Sequence, residues 1–167
     1  MAISEKYCFL DFDGVLTSTL ENPGSYLTNR AANYGMSKSC MDIFMNFVRR
    51  YDVHVVISSN WRRFDPGSAW VFECEEYQNN LPKLVNILGD YYCGILPPDR
   101  HITKSEALAK WFQTHGALKS NQFVIFDDDM AEGFQDTEFC SNFIRTNYVT
   151  GLTEDDIEKA ERIFNHG

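Results

Sequence analysis

Two short apolar runs break off into clusters of carboxylates, and this constrains the fold of the chain more than any other feature. The first is Tyr7-Cys-Phe-Leu-Asp-Phe12, which continues as Asp13-Gly14; the second is Gln122-Phe-Val-Ile-Phe126, followed by Asp127-Asp128-Asp129. Short continuous apolar runs read as strands buried on both faces, and such strands belong to a parallel sheet covered by helices. A third run, Val53-His-Val-Val-Ile57, ends in Ser58-Ser59. Bringing several carboxylates to the end of a buried strand is costly unless a cation or hydrogen bonds compensate. In open α/β sheets, ligands bind beyond the carboxyl ends of the strands, at the topological switch point. The three tips therefore mark a candidate site, and a hard divalent cation is the natural compensation. Mg²⁺ suits it best, because it binds a few carboxylates, keeps waters and accepts a phosphate oxygen.

The stretches between these strands are mostly amphipathic. Met41, Phe44, Met45 and Val48 have helical spacing, with Ser37 or Ser39 available as the cap. Leu81, Leu84, Val85 and Leu88 predict a short helix, and Tyr91 to Leu96 a strand stopped by Pro97-Pro98. Thr103-x-x-Glu106 is a capping box opening a helix around Ala107 to His115, with Gly116 at its end. Phe143 to Thr146 reads as a last edge strand, and Thr153-x-x-Asp156 opens a helix with Ile157, Ala160 and Ile163 on one face. Residues 17–36, which include Asn22, Pro23, Gly24 and Gly35, read as an irregular excursion. The alternation predicts one Rossmann-like α/β domain over residues 1–167, a central parallel sheet with helices on both faces.

Charge and cysteine content narrow the function. The net charge is −9, and the basic clusters Arg49-Arg50 and Arg62-Arg63 are short. An extended nucleic-acid track is disfavoured, although a nucleic-acid end remains open as a substrate. Five cysteines occur without a CxxC pair, which predicts reduced thiols and no zinc site. His54, His101, His115 and His166 lack partner spacing, so no histidine metal site is expected. No signal peptide is visible, and no apolar run approaches the roughly 20 residues that span a bilayer. The expectation is a soluble cytoplasmic protein with no membrane partner.

Phe9-Leu-Asp-Phe-Asp-Gly-Val-Leu16 resembles the first motif of the haloacid-dehalogenase (HAD) phosphatases. Val55-Val-Ile-Ser58 resembles the second motif, Lys104 the third-motif lysine, and Val124-Ile-Phe-Asp-Asp128 the acidic fourth motif, all in the family's order. More narrowly, Ser58-Ser-Asn-Trp-Arg62 and Gly151-Leu-Thr153 resemble elements of the HAD domains in Swiss army knife RNA-repair proteins.

The resemblance implies a phosphomonoester hydrolase. Asp11 would be the nucleophile forming an aspartyl-phosphate, and Asp13 the general acid and base. Ser58, or equally Ser59, would hydrogen-bond a phosphoryl oxygen, and Lys104, with Arg100 as the alternative, would neutralise charge. Gly14 would let the chain turn close to the phosphate, with Ser59, Asn60 and Arg62 as further substrate contacts. Mg²⁺ would be held by Asp11, Asp13 (through its carbonyl), Asp127 and Asp128, leaving Asp129 to start a helix or support the site. Trp61 reads first as core, and Trp70, Phe72 and Tyr77 as packing or as the site's entrance. Residues 14–57 leave about 20 outside core elements, below the ~40–50 of a small independent domain. The expected cap is thus minimal or absent, and the open site suits a polynucleotide end, a phosphoprotein, or a nucleotide enclosed by homo-oligomerisation. The alternatives are a protein phosphatase and a catalytically silent binding module.

Overall fold

The computed structural model describes residues 5–21, 36–60, 75–99 and 101–166. Five strands, β1 (Lys6–Leu10), β2 (Val53–Ile57), β3 (Tyr92–Ile95), β4 (Phe123–Asp127) and β5 (Phe143–Arg145), form one all-parallel sheet in the order β3-β2-β1-β4-β5. Among the described residues four α-helices accompany it: α1 (Lys38–Tyr51), α2 (Glu75–Leu88), α3 (Lys104–His115) and α4 (Glu154–Asn165).

Alternation along the strands decides which helix covers which face. Cys8, Leu10, Val53, Val55, Ile57, Val124 and Phe126 point to one side, where they meet α1, α2 and α4 through Phe44, Val48, Leu84, Leu88, Ile157 and Phe164. Phe9, Val56, Phe123 and Ile125 point to the other, against Ala107, Leu108 and Trp111 of α3 and against Phe134 and Phe139. The α/β fold with both faces covered is thus as expected. Among the described residues no cap domain is evident, and no helix is long and apolar enough to cross a membrane.

The helix starts follow local chemistry. Ser37, rather than Ser39, caps α1, accepting from the Cys40 N–H. Both capping boxes form, Thr103 with Glu106 and Thr153 with Asp156. Most boundaries fall within a residue or two of expectation, and two differences have a local cause or consequence. Strand β1 stops at Leu10, not Phe12, because the Phe12 carbonyl accepts the Leu16 N–H at 2.9 Å and turns the chain. Helix α2 spans Glu75–Leu88 and contains Pro82, whereas the apolar spacing from Leu81 to Leu88 suggests only a short helix. The described cysteines, Cys8, Cys40, Cys93 and Cys140, are free thiols.

Strands β1 and β4 are neighbours, while the chain visits β2 and β3 between them. The order of strands reverses there, so the two acidic tips lie side by side at the switch point.

Candidate active site

Asp11 follows β1 directly, and its N–H still bonds the Phe126 carbonyl at 3.0 Å, extending the β1–β4 ladder by one residue. Asp127 is the last residue of β4 and is fully buried. Lys104 is the first residue of α3; its side chain is 2 % exposed, and its ammonium lies 3.1 Å from Asp11 Oδ2 and 2.6 Å from Asp127 Oδ2. A cation in the first turn of a helix opposes the helix dipole. Here Asp11, Asp127 and Glu132 offset that cost, Glu132 by accepting the Lys104 backbone N–H at 2.8 Å.

Electrostatics follow from the crowding. Burial alone would lower the Lys104 ammonium, but the Asp11 and Asp127 carboxylates outweigh it and hold it above its ordinary value. Burial, then the charge of Asp11, pushes Asp127 well above the usual carboxylate range against the pull of Lys104. The same two causes raise Asp128 to about 6. One carboxylate oxygen from each of Asp11, Asp127 and Asp128 lies within 4.8 Å of the others. A set of hard oxygen donors whose charges repel one another fits a divalent cation, which would relieve that repulsion.

A cleft of about 310 Å³ opens over this floor, lined by Asp11, Asp13, Ser59, Asn60, Lys104, Asp128 and Asp129. Ser58 lies beneath it, fully buried, its N–H donating to the Leu10 carbonyl at 2.8 Å. Of the two serines, Ser59 faces the cleft. Gly14 has φ +69°, and a Cβ there would come within 2.3 Å of Asp128 Oδ2, so the turn after Asp13 can lie against Asp128 only as glycine. Asp129 caps the short 3₁₀ turn Met130–Glu132, and its N–H donates to Asp127 Oδ1 at 2.9 Å.

The structure thus gathers Asp11, Asp13, Gly14, Ser58, Ser59, Asn60, Lys104, Asp127 and Asp128 at one end of the sheet. Arg62, Arg100, Trp61, Trp70 and Phe72 lie outside the described residues, as does the side chain of Tyr77. Two residues were not singled out from sequence. Glu132 joins the Lys104 N–H to Asn60, whose Nδ2 donates to it at 3.1 Å. Thr146 donates through Oγ1 to the Gly14 carbonyl at 2.7 Å and through N–H to the Asp127 carbonyl at 3.0 Å, joining the two acidic tips. Neither carries a local signal, since an isolated Glu or Thr in a loop is ordinary. The Gly151-Leu-Thr element has a mechanical reason. A Cβ on Gly151 would come 2.5 Å from the Thr17 carbonyl, and the Leu152 N–H donates to the Val15 carbonyl at 2.8 Å.

No curated protein and no solved structure matches the chain significantly. The family model that does match is that of the HAD domain in Swiss Army Knife RNA repair proteins, over residues 7–157. That span begins at the second residue of β1, holds the whole acidic cluster and ends inside α4; the chain belongs to this family of HAD domains.

Proposed function

We propose that the chain is a Mg²⁺-dependent phosphomonoester hydrolase acting through an aspartyl-phosphate on Asp11, with a nucleotide or nucleic-acid terminal phosphate as substrate. The observation that carries this reading is the triangle Asp11–Lys104–Asp127 beneath the cleft, with Asp128 at its edge. Lys104 pairs with the Asp11 carboxylate and fixes it in place, and its charge opposes the repulsion between carboxylate and phosphate.

A phosphomonoester placed in the cleft meets Asp11 at its floor. Attack by an Asp11 oxygen breaks the bond from phosphorus to the leaving oxygen, and Asp13 gives that oxygen its proton. Asp13, now a base, removes a proton from water, which attacks the aspartyl-phosphate, releasing inorganic phosphate and regenerating Asp11. Ser58 and Ser59 supply the hydroxyls for a phosphoryl oxygen, with Ser59 better placed on the cleft wall. Asn60, held by Glu132, donates to the substrate from the same side, and Arg62 is assigned a substrate phosphate. The Asp11, Asp127 and Asp128 carboxylates would hold the Mg²⁺ with the Asp13 carbonyl. When bound, the cation supplies positive charge that offsets repulsion between nucleophile and phosphate.

The family is found in RNA repair proteins, which supports a phosphorylated nucleic-acid end. The test is hydrolysis of an aryl phosphate by the wild type and by Asp11→Asn, with and without Mg²⁺. Metal-dependent turnover that Asp11→Asn abolishes is expected. Equal turnover by the variant, or turnover indifferent to the metal, contradicts the reading.

A further inference from the structure

Asp13 lines the cleft, yet its neighbours do not share its exposure. Asp11, Phe12 and residues 14–18 are all buried, and Asp13 alone among them is partly open. Its carboxyl is therefore presented by a turn whose backbone is enclosed. The β1–β4 ladder ends at the Asp11 N–H, so the peptide groups of the turn need other partners. The Phe12 carbonyl accepts the Leu16 N–H at 2.9 Å. The Gly14 N–H donates to Thr17 Oγ1 at 2.9 Å, and Thr17 is 4 % exposed. The Gly14 carbonyl accepts from Thr146 Oγ1 at 2.7 Å.

The first two of these bonds hold the peptides on either side of the Asp13 Cα, and of the two only that of Thr17 is made by a side chain. A peptide is planar, so fixing the Gly14 N–H also fixes the Asp13 carbonyl on its opposite edge. The Cα from which the Asp13 carboxyl projects is fixed with it. Thr17 is itself held. A Cβ on Gly151 would come within 2.5 Å of the Thr17 carbonyl and 3.0 Å of the Val15 carbonyl. The Leu152 N–H donates to the Val15 carbonyl at 2.8 Å, and Ser18 Oγ donates to the Val149 carbonyl at 2.9 Å. The segment after β5 thus clamps Val15 to Ser18, and the Thr17 hydroxyl passes that constraint on to Asp13.

We infer that Thr17 is a positioning residue for Asp13, its hydroxyl orienting the Asp13–Gly14 peptide so that the carboxyl meets the leaving oxygen. This rests on the hydrolase reading and adds to it a residue that the sequence alone places in an irregular stretch. Thr17 does not line the cleft and acts through Asp13. A displaced acid matters most for a poor leaving group. An alkoxide needs its proton as the bond to phosphorus breaks, whereas a nitrophenolate departs without one.

The test compares kcat/KM for an alkyl phosphate and for para-nitrophenyl phosphate in Mg²⁺, for the wild type, Thr17→Val, Thr17→Ser and Asp13→Asn. Thr17→Val keeps the shape and removes the acceptor. It is expected to lower the alkyl value about tenfold and the aryl value about twofold, a fraction of the roughly 10²–10⁴ that a positioned acid supplies. Asp13→Asn lowers the alkyl value furthest. Thr17→Ser, which keeps the hydroxyl, returns the alkyl-to-aryl ratio to that of the wild type. A packing defect would lower both esters alike. Where Thr17→Val fails to fold by circular dichroism, Thr17→Ala is read on the same ratio. A ratio unchanged by loss of the hydroxyl, or one that Thr17→Ser does not recover, overturns the positioning role alone. Wild-type protein that hydrolyses neither ester overturns the hydrolase reading and the positioning role with it.

Discussion

The floor and the rim of the cleft are both acidic, but they are held by different physics. On the floor, Asp11 and Asp127 are buried and share one buried ammonium, that of Lys104. On the rim, Asp128 is half-buried, raised to about 6, and fixed by the turn that Gly14 lays against it. The floor carries a buried ammonium between its two carboxylates, whereas Asp128 stands at the more open edge, where burial and the charge of Asp11 outweigh the pull of Lys104. A carboxylate cluster is therefore not one unit: its inner members are ion-paired in the fold, and its outer member is placed by the Gly14 turn.

Removing the ammonium breaks the comparison hardest. Lys104→Met leaves two buried carboxylates facing each other, and we expect a loss of about 3–5 kcal/mol in urea denaturation together with loss of hydrolysis. A variant with wild-type stability would show that the floor is not an ion-paired unit. Gly14→Ala comes next. It combines the left-handed backbone with the approach to Asp128, and about 1–3 kcal/mol of strain is expected with weaker Mg²⁺ binding by calorimetry. Thr146→Val deletes the hydroxyl that ties the Gly14 turn to the end of β4, at about 1 kcal/mol. Calorimetry should show weaker Mg²⁺ binding that Thr146→Ser recovers, which a packing role would not require.

The smallest effect sharpens the contrast through pH. Folding raises Asp128, so the folded chain holds that proton more tightly than the unfolded one. Without divalent cation, the Asp128 contribution to stability is best below the ordinary carboxylate range and declines as pH rises through about 6. Thermal melts across that range should show the decline in the wild type, its reversal by Mg²⁺, and neither in Asp128→Asn. A melt of Asp128→Asn that still responds fully to Mg²⁺ would move the cation away from the rim.

The floor was also the more legible part of the site. Buried strands announce themselves as apolar runs, and an acid at the end of such a run has few explanations, so Asp11 and Asp127 could be named from sequence; Lys104 came from the motif resemblance and its place at a helix start. The capping boxes at Thr103 and Thr153 are equally local and were readable. What joins the parts was not. Glu132 and Thr146 act across loops far apart in sequence, and their partners are a side chain and backbone groups brought near only by the sheet order. The first turns of α2 were hidden because the apolar spacing that marks the helix begins only at Leu81. Ser58 and Ser59 are adjacent, chemically identical and both buried, and only the folded chain shows that Ser59 is the one lining the cleft.

The central claim is that Asp11 forms the covalent intermediate. The most direct measurement is to acid-quench the enzyme during turnover in Mg²⁺, reduce the acyl phosphate with borohydride, and locate the modified residue by peptide mass spectrometry. The account predicts modification at Asp11 and none at Asp13. Modification at Asp13, or turnover with no trapped residue, would contradict it.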